Sequence, residues 1–118
     1  MQVYDYWIIF MQTITLYRAM CPEEYQKTIQ NQSFAWKNKA KFFSDKLDFI
    51  IHRVQDGKFS NSTYKKEKYQ HLVKFHISLI KNHNPFVQVS NNEFMLNVRK
   101  QSLVKIVHIE TLPPNHIQ

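Results

Sequence analysis

Three short pieces of this chain set a chemically able side chain at the end of an apolar segment. Leu16-Tyr17-Arg18 puts an arginine at the end of an early strand-like run. Phe42-Phe43-Ser44 puts a serine behind two aromatic residues and directly before a helical pattern. Glu93-Phe94-Met95-Leu96 opens an apolar run with a glutamate, and Val104 to Ile109 forms the next run. An arginine offers a planar fork of donors that suits phosphate and carboxylate. A fixed carboxylate can stabilise positive charge that develops in a transition state. Structural duties compete for the same residues. Arg18 can pair with Glu23 or Glu24, Ser44 can cap the helix behind it, and Glu93 can simply be the exposed start of a strand. Glu110 is a rival carboxylate, but it ends its strand rather than opening it.

Other chemistry is narrowed by what is scarce. Gly57 is the one glycine, which excludes Gly-rich phosphate loops of the Walker and dinucleotide-binding kinds. His71 and His76 fall on opposite faces of a strand, and His52, His83, His108 and His116 are scattered, so no metal site is expected. Cys21 is the one cysteine and has no partner motif, so it reads as a small buried hydrophobe. Lys37, Lys39 and Lys41 alternate near Trp36, and Lys65, Lys66 and Lys68 surround Tyr64 and Tyr69. Lysines with interleaved aromatics suit phosphate contact and base stacking, so these tracts form a candidate patch for nucleic acid or an acidic partner. A solvated basic loop is the plainer reading of each.

The elements that must position these residues follow from pattern and punctuation. Thr13 to Met20 predicts a strand. Cys21-Pro22-Glu23-Glu24 then starts a helix, with Pro22 at its first position and two acids where the dipole favours them. Its apolar face is Tyr25, Thr28 and Ile29, and it ends near Asn31. Ser33 to Lys41 is basic and irregular, with Phe34 and Trp36 as anchors, and Phe42-Phe43-Ser44 is a short buried strand. Ser44 or Asp45 caps a second helix, whose face is Leu47, Ile50, Ile51 and Val54 and whose end is marked by Gly57. Lys58 to Lys68 is a loop. From Tyr69 to Leu79 the pattern has period two, which predicts a strand with one buried face. Short strands follow over Phe86–Val89 and Glu93–Val98, then a last strand over Leu103–Thr111, ended by Pro113 and Pro114. Two early helices before a strand-rich half argue for α+β rather than a doubly wound parallel sheet.

The 118 residues make one domain, 1–118, with residues 1–10 an extension and 112–118 a frayed tail. Val3 to Phe10 is too short for a membrane span, carries Asp5, and lacks the features of a signal peptide. It reads as a core-packing strand, with Met11 as a second start. A single cysteine excludes an internal disulfide framework, and a reducing, cytoplasmic setting is the expectation, with no membrane partner. The formal charge of +7 attracts anionic partners without choosing among them.

In the order of its three pieces, over roughly residues 13–110, the chain resembles the ADP-ribosyltransferase superfamily of the Arg-Ser-Glu type. In that family a first strand carries an arginine, a second a serine in an aromatic-flanked motif, and a later strand opens with the catalytic glutamate. The resemblance implies an ADP-ribosyltransferase-like α+β fold, with two helices in the N-terminal half packed on a strongly bent antiparallel β core. It implies NAD as the cofactor, with Glu93 catalytic, Arg18 on the pyrophosphate, Ser44 orienting Glu93, and Tyr17, Phe43 or Tyr64 stacking on nicotinamide. It also implies a mono-ADP-ribosyltransferase that modifies a host macromolecule, protein or nucleic acid, as a toxin or phage-borne modifier with a cognate antitoxin or inhibitor. The chain departs from the family in two places. Phe43-Ser44-Asp45 keeps one hydroxyl where Ser-Thr-Ser is common, and Asn91 replaces the Glu or Gln that often stands two residues before the catalytic glutamate, on the acceptor side. An arginine acceptor is therefore disfavoured. RNA 2′-phosphotransferase chemistry is a related reading with fewer matching residues. The alternative is a non-catalytic basic module that binds nucleic acid or an acidic protein.

Overall fold

The structure is a computed structural model that describes residues 12–34, 40–56, 71–80 and 83–113. Strand β1 (Gln12–Met20) leads into helix α1 (Pro22–Asn31), followed by β2 (Ala40–Phe43) and α2 (Leu47–Asp56). Then come β3 (His71–Leu79), β4 (Phe86–Gln88), β5 (Phe94–Asn97), a 3-10 helix over Val98–Leu103, and β6 (Val104–Thr111). The α+β class expected from the sequence is present. The strands form two antiparallel sheets, ordered β1-β3-β6 and β2-β5-β4. A single bridge between Tyr17 and Ser44 connects them, so β1 and β2 are the seam.

Local chemistry explains the first helix. Pro22 stands at its first turn with Glu23 and Glu24, and Gln32 closes it in the left-handed region at φ 51°, with its N–H on the Thr28 carbonyl. The buried face differs from the one expected. Glu24 and Thr28, one turn apart, point inward, Tyr25 is partly buried, and Ile29 is exposed. An ion pair, described below, is what turns the helix this way. Helix α2 buries Ile50 and Val54, with Leu47 and Ile51 partly buried.

The main core lies between the sheets and draws on every strand: Leu16 and Met20, Phe43, Phe75 and Ile77, Phe86, Leu96 and Ile106, with Phe34 from the segment after α1. Its centre is aromatic. Phe43 meets Phe34 edge-on at 5.1 Å and Phe86 at 5.4 Å, and Phe34 meets Phe75 at 5.1 Å. Each such pair adds about 0.5–1.5 kcal/mol beyond area burial. A smaller cluster of Ala19, Leu72, Ile50 and Val54 joins α2 to the other face of β1 and β3. Strand β3 was expected to bury one face; Leu72 is fully buried on the second because α2 covers it.

Several boundaries move. Ala40 and Lys41 belong to β2 rather than to an irregular stretch, and the 3-10 helix was not foreseen. Leu112 donates its N–H to the Leu72 carbonyl at 2.8 Å and packs on the α2 cluster, so it is not frayed. Residues 1–10, Trp36, Gly57 and the Lys58–Lys68 loop lie outside the described residues. No helix among the described residues is long and apolar enough to cross a membrane.

Candidate functional site

Backbone pairing brings the three sequence pieces together at the seam. Tyr17 and Ser44 exchange backbone hydrogen bonds of 2.7 and 3.0 Å. Phe43 pairs with Phe94 between β2 and β5. One residue beyond that pair, in the same antiparallel register, come Ser44 and Glu93. Ser44 and Glu93 thus flank the ends of β2 and β5, beside Tyr17 and Arg18 near the end of β1. Alternation along the strands then divides them. Tyr17 and Ser44 share the face that α2 covers, and Arg18 shares the opposite face with Leu16 and Met20.

Glu93 follows a tight turn in which the Val89 and Ser90 N–H groups both donate to its carbonyl, at 3.0 and 3.4 Å. Its carboxylate Oε1 accepts from Arg53 Nη2 of α2. The Arg53 guanidinium lies over the Phe49 ring, 5.1 Å from its centre. Lys46 fastens the same turn: its Nζ donates to Asn92 Oδ1 at 2.8 Å and to the Asn91 carbonyl at 3.4 Å. The exposed Asn91 therefore contributes its backbone here. Ser44 is fully buried and its Oγ accepts from the Lys46 N–H at 3.0 Å, just ahead of α2. Ser44→Ala is expected to cost about 0.5–1.5 kcal/mol, the net worth of a typical hydrogen bond, read as a lower urea midpoint with an unchanged slope.

Arg18 is committed elsewhere. Its Nε and Nη2 donate to the two carboxylate oxygens of Glu24, both at 2.8 Å, and its Nη1 donates to the Phe42 carbonyl at 2.9 Å. Lys41 Nζ lies 3.6 Å from the same carboxylate. The side chains of Arg18, Glu24 and Lys41 are 11%, 4% and 0% exposed. Burial works against the charged Glu24, but Arg18, and then Lys41, hold its carboxyl below the usual range. Burial lowers Lys41, with Arg18 adding to the shift and Glu24 opposing it. Of the pairings open to Arg18 in the sequence, the structure uses Glu24.

The basic patch changes accordingly. Lys41 is inside the protein rather than on an anionic-partner surface, because it lies on a strand facing the Glu24 carboxylate. Lys37, Lys39, Lys65 and Lys66, like Tyr64, lie outside the described residues. Phe43, expected to stack on a ligand, is fully buried among phenylalanines. Tyr17 is half-buried against α2.

Arg53 and Lys46 were not among the residues expected from the sequence to take part. Their signal was present: Phe49 and Arg53 are four residues apart on α2, where side chains meet. Among the described residues no three His, Cys, Asp or Glu side chains gather as a metal site. Comparison of the chain with protein-family models, curated proteins and solved structures finds no match.

Proposed function

We propose that the chain is an NAD-dependent mono-ADP-ribosyltransferase that modifies a macromolecule. The observation that supports it is that strand pairing sets the Tyr17-Arg18, Ser44 and Glu93 segments side by side at the seam, in the order the family resemblance implies, with Glu93 and Ser44 at the same register position. NAD supplies the ADP-ribosyl group. The bond from ribose to nicotinamide breaks, a bond from ribose to the acceptor nucleophile forms, nicotinamide leaves, and the acceptor proton passes to water. A carboxylate that grips the ribose hydroxyls stabilises the charge on the sugar more in the transition state than in the ground state. Glu93, 20% exposed, is the residue for that role; the Lys46-held turn supports its position, and the orienting role that the resemblance implies for Ser44 would act from the neighbouring register position.

The arginine role is better filled by Arg53 than by Arg18. Arg53 is 30% exposed and lies against Glu93, whereas Glu24 occupies the Nε/Nη2 edge of the Arg18 fork and the Phe42 carbonyl takes its Nη1. A diphosphate would draw Arg53 away from Glu93 and free the carboxylate for the sugar. The acceptor is protein or nucleic acid, and a cytoplasmic setting suits the unpaired Cys21. A toxin of this kind would need a cognate antitoxin or inhibitor.

The test is nicotinamide release from NAD, with cell lysate as the source of acceptor. Wild type is expected to release nicotinamide and to label a macromolecule. Glu93→Gln should lose roughly 100-fold or more of that rate, as loss of a charge-stabilising group does. Equal rates for the two proteins would remove Glu93 from the reaction. The ion pairs that hold both Arg18 and Glu93 favour a second reading, a non-catalytic module for nucleic acid or an acidic protein. It predicts no release from either protein and binding that weakens steeply with salt.

A further inference from the structure

Two histidines far apart in the sequence meet on the sheet. His76 of β3 and His108 of β6 are direct cross-strand partners, with ring centres 5.8 Å apart. Thr15, the partner of His76 on β1, has its Oγ1 3.3 Å from His76 Nδ1. The β3–β6 register shifts directly after His76. Such irregularities bend a strand and re-aim side chains, and they are frequent beside functional sites. His108 is exposed and His76 half-buried. The pair lies on the sheet face opposite the phenylalanine core, beyond Ala19 and Leu72, which α2 covers.

We propose that His76 and His108 form an open binding site for a first-row divalent transition-metal ion. A metal about 2.0–2.1 Å from each coordinating nitrogen places two imidazole centres roughly 5 Å apart at a tetrahedral angle. A small tilt of the exposed His108 ring closes the present spacing to that value. Ligating histidines normally donate their other ring N–H to a polar partner, which fixes tautomer and orientation. With the metal on His76 Nε2, the Nδ1 proton goes to Thr15 Oγ1, the contact already made. Imidazole pairs suit Cu²⁺, Ni²⁺ and Zn²⁺, with Cu²⁺ the tightest. The protein gives two ligands, since no third donor gathers there among the described residues. Water or an exogenous anion takes the remaining positions. The bound ion ties β6 to β3 across the register shift, so it stabilises the folded chain.

Calorimetric titration of the full chain with Ni²⁺ tests the site on wild type, His76→Ala, His108→Ala and His52→Ala. One equivalent should bind to wild type. That binding should be lost in both His76→Ala and His108→Ala and kept in His52→Ala, whose histidine is exposed on α2. Thr15→Val should weaken it by roughly tenfold or more. Saturating Ni²⁺ should raise the melting temperature of wild type and leave that of His108→Ala unchanged. Because His108 is exposed, its alanine variant carries the test alone if His76→Ala does not fold. No binding by wild type, or equal binding by wild type and His108→Ala, would overturn the assignment.

Discussion

Glu24→Ala is expected to destabilise the protein by about 3–5 kcal/mol, the usual result of removing one member of a buried ion pair. The loss would come less from the attraction removed than from the two cations left behind. Arg18 is 11% exposed and Lys41 is fully buried, so neither regains full hydration when the carboxylate goes. The total stability of a small domain is only about 5–15 kcal/mol, so this loss removes a large share of it. Urea denaturation beside wild type measures this. A change under about 1 kcal/mol would mean that water reaches the cations and that the triad is a surface feature in solution.

The same triad sets an acid limit. The folded-state pKa of Glu24 is depressed, so the unfolded chain takes up its proton first as pH falls. The contribution of Glu24 is complete above the ordinary carboxylate value of 4.5. It is lost as pH drops below that value and through the folded-state pKa. Lys41 is depressed as well, mainly by its burial. Its contribution acts far to the alkaline side, where stability rises with pH towards the ordinary lysine value. The acid fall in urea midpoint should therefore be shallower in Glu24→Gln than in wild type.

How far the sequence revealed this protein depended on the range of the forces involved. Local signals were readable. Pro22 with two acids behind it starts α1, and the spacing of Leu47, Ile50, Ile51 and Val54 builds α2. The alternation from Val73 to Leu79 gives β3. What local patterns could not carry was the third dimension. Lys41 sits in a run of alternating lysines that reads as solvated, and a carboxylate arriving from α1 offsets the cost of its burial. Ile29 looked like a core residue until Glu24 and Thr28 took the inward face. The site was legible in part. The order of Arg18, Ser44 and Glu93 was visible, and strand pairing at the seam brings their segments side by side while turning Arg18 to the opposite face. Of the partners that occupy their charges, Glu24 was one of the two acids the sequence offered to Arg18, whereas Arg53 comes from a helix whose packing the sequence did not disclose.

Phe43→Ala is the second large effect, with an expected cost of about 3–5 kcal/mol for a fully buried phenylalanine. The ring is at the centre of the aromatic core, edge-on to Phe34 and Phe86. It also lies under the Arg18 guanidinium, 5.7 Å from ring centre to the guanidinium carbon. Its removal would open a cavity against β1, β3 and β4 at once, next to the seam that places Ser44. A ligand-stacking residue would behave otherwise, because it would be accessible and its loss would change affinity more than stability. Phe43→Leu separates the roles. Leucine keeps most of the apolar volume and gives up the ring contacts, so the core role predicts a smaller stability loss than alanine causes. If nicotinamide is released at all, the core role also predicts an unchanged KM for NAD. A raised KM with unchanged stability would return Phe43 to the binding surface.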